Sequence, residues 1–341
     1  MKITTGNFSI PYIKNITKIL SKIPKNIVND IYFSDGLYPS ARNIQLNKKE
    51  RDELKELSGE YNLNYTLNPS CYSNNFYLKD EYTQFLKNLE LLKEYYNLKY
   101  LTFNNTIILK EKNFRQICDE LQITLRLSVN NVVDSLEKLK IFVQEFKIYD
   151  IVLDRSLNRN WDELEKIIEY KNDLLKNNIE LNLILLVNEG CLPNCPYKTH
   201  CDNMICQYHK YNEDEINTFS NIHDQLTCTN EFSIKPWKAL QSPFISPIYL
   251  DKYKNDFNFK IAGRGKEKYI LEKIILSYTN AIGEHPLKFF FSTFRSNDFN
   301  KINFYNLEEF NFFENTYNCK LNCHSCDYCE KTFKELLNGK Y

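Results

Sequence analysis

Short apolar runs alternate along most of this chain with longer stretches in which apolar residues return every third or fourth position. Runs of strand length fall at Ile3–Thr5, Asp30–Phe33, Asn64–Leu67, Tyr100–Phe103, Ile123–Leu127, Ile151–Leu153, Leu183–Val187 and Phe259–Ala262. Between them, helical spacing predicts helices over Asp80–Tyr96, Ser135–Phe146 and Trp161–Asn177, and a further one over Glu267–Asn280. A repeated strand–helix rhythm requires a parallel sheet covered by helices. Eight strands in this order predict an α/β fold, a TIM-like (β/α)8 barrel, with an open doubly wound sheet as the weaker reading. Phe244–Ile248 has the composition of a further strand, which leaves the count open by one.

The rhythm breaks after Val187. From Asn188 to about Gln241 the chain is polar, rich in cysteine and histidine, and far longer than an ordinary βα loop. An insertion at the C-terminal end of a strand stands where barrel enzymes place their chemistry. Beyond the Glu267–Asn280 pattern the chain is aromatic and irregular (FFFSTFRSNDFNKINFYNLEEFNFFENTYN), and reads as an extension packed on the barrel. The expected organisation is a barrel over 1–285, including the cysteine-rich loop 188–241, and a C-terminal extension over 286–341 that delivers the last cysteines.

Those last cysteines change the picture most. Cys319, Cys323, Cys326 and Cys329 are separated by three, two and two residues, so four soft ligands can wrap one metal centre. Zinc sites usually split two Cys-x-x-Cys pairs across separate loops, whereas so tight a run resembles iron–sulfur ligation. An iron–sulfur cluster is favoured over structural zinc, and both over disulfides or free thiols. A second group, Cys191, Cys195, Cys201 and Cys206 with Cys228 farther on, lies in the insertion, where Pro193 restricts the backbone between the first two. His200 or His209 could replace one of these thiolates. Cys71 and Cys118 stand apart and read as packing residues.

The 341-residue chain holds 11 cysteines, an odd number, and its N-terminus lacks an apolar segment followed by a small-residue cleavage site. Clustered cysteines outside an oxidising compartment are metal ligands before they are disulfides, so a cytoplasmic, oxygen-sensitive protein is expected. The longest apolar stretch, LNLILLV, is strand-sized and far short of the roughly 18 residues of a membrane span. Basic and acidic residues balance at 44 each, so no overall field favours nucleic acid or an anionic membrane. Only eight glycines are present, without the glycine patterns of a P-loop or a dinucleotide-binding turn.

Polar residues gather at the predicted strand ends. Asp154 and Arg155 follow the sixth strand, Asn188 and Glu189 the seventh, and Gly263-Arg264-Gly265 the eighth. All would meet at one barrel mouth, with Asn104, Asn105, Ser128 and Asn130. Asp154, Glu189 and Arg264 are the candidates for catalytic work on a polar substrate, and Arg155 and Asn188 for contact with a cofactor. Arg126 lies within the fifth strand on the face of Thr124 and Ser128, so the barrel is expected to bury a charge that needs a carboxylate or an anionic ligand. A plain Arg–Asp network that closes the barrel is an equal reading.

The segment SPIYLDKYKNDFNFKIAGRGKEKYILEKIILSYTNAI resembles a signature of the collagenase-like peptidase family, a strand ending Phe-Lys-Ile-x-Gly-Arg and followed by a tyrosine-bearing helix. The matching residues are Phe259, Lys260, Ile261, Gly263 and Arg264, with Tyr269 and Tyr278 after them. The resemblance covers about residues 1 to 285, and the cysteine tail departs from it. Several members are oxygen-independent hydroxylases that act on RNA bases or quinone precursors and hold a [4Fe–4S] cluster on four cysteines, while proteolysis is claimed for others. On this resemblance Cys191, Cys195, Cys206 and Cys228 are the candidate cluster ligands. Neither a G-x-S-x-G elbow nor an H-E-x-x-H helix is present to support a familiar hydrolytic mechanism.

The expectation is an iron–sulfur redox enzyme with two [4Fe–4S] clusters. It would act on a polar small molecule, a peptide or an RNA base at the barrel mouth and exchange electrons with an external donor. Three readings compete with it. Cys319, Cys323 and Cys326 satisfy the C-x-x-x-C-x-x-C spacing by which radical enzymes leave one iron open for S-adenosylmethionine. A collagenase-like peptidase is the second, and a zinc-stapled binding module the third.

Overall fold

The computed structural model describes residues 1–6, 13–36, 46–67, 79–207, 214–215, 217–218, 221, 225, 228–262, 267–291, 294 and 296–338, with the backbone alone at 13–15, 79–82, 203–207, 229 and 268. Eight parallel strands close into a barrel in chain order. They are β1 (Ile3–Gly6), β2 (Val28–Phe33), β3 (Leu63–Leu67), β4 (Tyr100–Phe103), β5 (Thr124–Leu127), β6 (Asp150–Val152), β7 (Asn182–Leu186) and β8 (Asn258–Ile261). β8 pairs with β7 on one side and β1 on the other, which completes the ring. Every strand lies within two residues of its predicted position.

Helices α1 (Ile13–Leu20), α2 (Lys48–Leu57), α3 (Lys79–Tyr96), α4 (Lys112–Glu120), α5 (Leu136–Gln144) and α6 (Trp161–Lys176) each follow a strand and cover the sheet. The β7–β8 connection carries α7 (Lys198–Gln207) and α8 (Cys228–Ile234), α9 (Lys268–Asn280) follows β8, and α10 (Tyr328–Leu337) lies near the C-terminus. Ser135 sits outside α5 because its hydroxyl accepts from the Lys138 amide as an N-cap. Among the described residues no helix is long and apolar enough to cross a membrane.

Phe244–Ile248 is not a strand. Pro243 precedes it, Pro247 lies within it and opens a 3₁₀ turn, and β8 already closes the barrel between β7 and β1. The segment instead buries Phe244 against Phe291, Phe294, Phe304 and Phe312. Ring pairs of this kind add about 0.5–1.5 kcal/mol each beyond their burial. The apolar core therefore runs without a break from the barrel into the extension beyond residue 285.

Residues alternate along each strand, and the outward set (Ile31, Leu63, Leu101, Leu127, Ile151, Leu183 and Phe259 among them) packs under the helices. The inward set at the N-terminal end of the barrel is polar. Thr4, Asp30, Asn64, Thr102, Arg126, Asp150, Asn182 and Asn258 supply one residue from every strand, linked by side-chain hydrogen bonds. At its centre the fully buried Arg126 donates from Nη1 to Asp30 Oδ2 at 2.7 Å and from Nε and Nη2 to the two oxygens of Asp150. Its guanidinium also lies 4.5 Å from the Tyr100 ring centre. This is the carboxylate partner that a buried arginine requires, supplied twice. The two carboxylates hold the Arg126 guanidinium above its ordinary pKa against the opposing effect of burial, so it stays charged.

Breaking that centre should be costly. Asp30→Asn or Asp150→Asn should lower unfolding stability by about 3–5 kcal/mol, read from urea denaturation. A loss below about 1 kcal/mol would mean the network is incidental to the fold.

Candidate functional site

At the opposite, C-terminal end of the strands, β6 leads through Leu153 to Asp154. The Asp154 carboxylate accepts from the Ser156 amide at 2.9 Å and so caps a 3₁₀ turn, Arg155–Arg159. Ser128 and Asn105 act in the same way at the turns that follow β5 and β4. These strand-end polar groups are engaged in shaping the loops. Arg155, Leu157, Asn158 and Arg159 of the turn are all buried. Asn158 donates to the Leu186 carbonyl at the end of β7 (2.9 Å) and to the Pro243 carbonyl beyond the insertion (2.8 Å). One amide thus ties three loops of the mouth together.

Arg155 faces the cysteine-rich insertion. Its Nη1 lies 2.7 Å from Glu189 Oε2, and the Cys191 thiol donates to the other oxygen of Glu189 at 3.5 Å. Burial and then Glu189 push the Cys191 thiol pKa well up, while Arg155 and Lys198 pull it back. Burial and then the neighbouring Cys228, Cys195 and Asp202 push the Cys201 thiol up to about 11. Cys191, Cys195, Cys201 and Cys228 are thus electrostatic neighbours on the insertion. The Cys206 side chain and His209 lie outside the described residues, and His200 is exposed on α7.

Asn188 has a defined structural task. Its amide nitrogen donates to the Ala262 carbonyl (2.7 Å) and its Oδ1 accepts from the Ala262 amide (2.6 Å). This pair clamps the end of β7 to the end of β8, immediately before Gly263 and Arg264, which lie outside the described residues. On β8, Lys260 is buried and its ammonium lies 4.4 Å from the Tyr32 ring centre.

The tail cysteines meet at one place. Cys319, Cys323, Cys326 and Cys329 line a cavity of about 50 Å³ together with Arg159. Lys320 and Leu321, between the first two cysteines, both take left-handed backbone angles (φ 53° and 55°) that cost non-glycine residues about 1–2 kcal/mol each. The loop is anchored through Asp162 at the start of α6, which accepts from Asn318 (2.6 Å) and pairs with Lys320 (2.7 Å). Burial, with the neighbouring cysteines adding to it and Arg159 opposing it, pushes the Cys329 thiol up to about 12.

No group of three or more histidine, cysteine or acidic side chains among the described residues is arranged as a ready grip for a single ion. A hollow of about 1030 Å³ lies at the other end of the barrel beneath the polar ring, between Tyr100, Asp150 and Asn258. The mouth chemistry is elsewhere.

Arg159 was absent from the sequence reading of the site, because L-N-R-N-W-D-E-L looks like an ordinary helix entry. Its signal is spatial. Cys201 was named only as one of several thiols in the insertion, where spacing alone could not rank it above Cys206.

This end of the molecule is the mouth of a (β/α)8 barrel flanked by two cysteine groups, and no family model matches the chain. In sequence it resembles the collagenase-like peptidases. It is 28% identical over 229 residues to an uncharacterized protease of Methanocaldococcus jannaschii, across 64% of this chain and 62% of that protein. The chain therefore spans somewhat under two thirds of that relative's length. Among solved structures, the U32 peptidase Mk0906 superposes with a TM-score of 0.48 at 13% identity, covering 78% of this chain and 94% of that one. Endonuclease IV from Thermus thermophilus gives a TM-score of 0.41 at 10% identity, over 83% and 100% of the two chains.

Asn188→Ala should free the ends of β7 and β8. The Ala262 amide should lose hydrogen-exchange protection, with a global cost of about 1–3 kcal/mol. Unchanged protection at Ala262 would show that the strand ends are held by other means.

Proposed function

We propose that this protein is an enzyme of the metal–thiolate redox kind, acting on a polar substrate at the barrel mouth with [4Fe–4S] centres on its two cysteine groups. The observation that carries the reading is the convergence of four tail cysteines on a cavity walled by a buried guanidinium. Packing accounts for only part of that convergence, since Cys329 lies against the core whereas Cys326 is exposed, and neutral thiols supply no charge to balance Arg159. Cys191, Cys195, Cys201 and Cys228 beside Arg155 would hold the second centre. Cys206 stays a candidate ligand there, since the resemblance favours it.

When bound, such groups supply one-electron transfer at potentials set by net charge, hydrogen bonds and exposure. The residues of the chain have the other tasks. Asn188 and Asn158 fix the loops of the mouth, and Asp154 holds the turn that carries Arg155. The Arg155–Glu189 pair, Lys260 and Arg264 offer charge for orienting a polar small molecule, a peptide or an RNA base. An external protein or small-molecule donor would exchange electrons with the tail centre. Cys329 lines the same cavity as the other three cysteines, which favours a four-thiolate centre over one with an iron left open for S-adenosylmethionine. Zinc at the tail would make the extension a staple.

A peptidase is the second reading, favoured by the name of the 28% identical relative. The two readings part on metal dependence. Protein purified without oxygen should be brown, absorb broadly near roughly 400 nm and contain iron and sulfide for two clusters. Cys323→Ser and Cys195→Ser should each remove about half of the iron while leaving the barrel folded by circular dichroism. Colourless, metal-free protein that cleaves peptides would overturn the proposal in favour of the peptidase.

The raised thiol pKa values add a pH dependence. In metal-free protein the Cys201 and Cys329 thiols are neutral near pH 7, so loading must expel their protons and should tighten as pH rises. Titrating Zn²⁺ into metal-free protein between about pH 6 and pH 8 should show affinity climbing with proton release. Flat affinity would mean that these thiols are not ligands.

A further inference from the structure

Arg159 is the residue whose surroundings are incomplete. Its side chain is 3% exposed, and it reaches the tail from the turn that follows β6. Nη1 donates to the Leu240 carbonyl at 2.9 Å, and the guanidinium carbon lies 4.8 Å and 5.2 Å from the ring centres of Phe244 and Phe312. Nη2 is buried without a hydrogen-bond partner. Among the described residues the strongest electrostatic influences on it after burial are the Cys329 and Cys319 thiols, the Tyr253 hydroxyl and the Cys323 thiol; Glu308 lines a small cavity with it but accepts from the Tyr249 hydroxyl, and no carboxylate forms an ion pair with it. Arg126, equally buried, has two.

An arginine cannot shed its proton in a protein, so a dry guanidinium needs negative charge beside it. Four neutral thiols do not provide it. Four thiolates around a divalent metal or an oxidised iron–sulfur cube leave about two negative charges in either case. The cavity that these cysteines share with Arg159 is where that charge would sit.

We infer that Arg159 is the built-in counter-cation of the tail metal centre, a positioning residue that holds the loaded form together and raises its reduction potential. This rests on the reading of the tail cysteines as metal ligands and adds the group that balances them. The same turn presents Arg155 to Cys191 and Glu189, so one five-residue segment places a cation beside each cysteine group. Arg155 is already neutralised by Glu189, whereas Arg159 is not.

The test uses the full-length protein purified without oxygen, as wild type, Arg159→Met, Arg159→Lys and Lys331→Met. Methionine keeps an unbranched stem against Phe244 and Phe312 and removes the charge. Lys331 is an exposed cation near Cys326 and serves as the control. In the loaded state Arg159→Met should release tail metal to a chelator at least about tenfold faster than wild type, with a more negative reduction potential if the centre is iron–sulfur. Arg159→Lys should recover most of the retention, and Lys331→Met should resemble wild type. In the metal-free state the order should reverse, with Arg159→Met melting above wild type because an unbalanced buried charge has gone. A loaded wild type matched by Arg159→Met in retention and potential would overturn the inference and leave the metal reading intact. A wild type that holds no metal on the tail cysteines would overturn both. If Arg159→Met does not fold, Arg159→Lys against Arg159→Gln reads the same contrast, and equal metal retention in those two would overturn the inference.

Discussion

A guanidinium removed from water has to be given negative charge, and this molecule buries that demand at both ends of its barrel. At the N-terminal end the demand is met inside the fold. Arg126 lies between Asp30 and Asp150, and polar side chains from the other strands extend the network around the ring. Each strand has to be in register for the ring to close, since a slip of one residue would turn its polar member out toward the helices. The network therefore specifies the barrel as well as neutralising a charge. At the C-terminal end Arg159 receives a carbonyl, two ring faces and sulfur. Those leave Nη2 without a hydrogen-bond partner, and in the proposed reading they leave its charge unanswered until the sulfurs ionise.

The turn Arg155–Arg159 is the organising piece of the mouth. Asp154 sets its start, Asn158 binds it to β7 and to the segment after the insertion, and the arginines at its two ends face different cysteine groups. A separate clamp, Asn188 on Ala262, fixes β7 to β8. Asp154, Arg155, Asn188 and Glu189 follow the ends of β6 and β7, while Gly263, Arg264 and Gly265 lie outside the described residues. The structure gives Asp154 and Asn188 work in holding backbone, and gives Arg155 and Glu189 each other.

Local pattern carried the fold well, because strand and helix period are written in adjacent residues. All eight strands and the four helices predicted from spacing lie close to where periodicity put them. Arg126 and its need for a carboxylate were also legible, since a charge inside an apolar strand can face only the barrel interior. Phe244–Ile248 differs from the expectation of a strand because Phe244, Ile245 and Ile248 look alike in sequence whether they pair in a sheet or pack under an aromatic cluster. Only the closure of β8 onto β1 shows that no place was left for another strand. Arg159 was illegible for a related reason. Its meaning comes from cysteines some 160 positions away in the chain, brought to it by the docking of the extension.

That docking bears on what the tail is for. A zinc staple needs only to close its own loop, and its position relative to the barrel mouth is of no consequence. Here the extension is seated on the barrel by shared aromatic core around Phe244, by Trp161 against Tyr317, and by Asp162 holding both Asn318 and Lys320. Each of these contacts fixes the distance between the tail cysteines and the turn that also faces the insertion. The proposed electron exchange between two centres would depend on such a fixed separation, whereas a staple would not. The strain accepted at Lys320 and Leu321 fits the same view, since backbone cost persists where surrounding structure holds it in place. Under the proposed reading, these attachments, more than the cysteine spacing, are what would let a tail centre work with the barrel mouth.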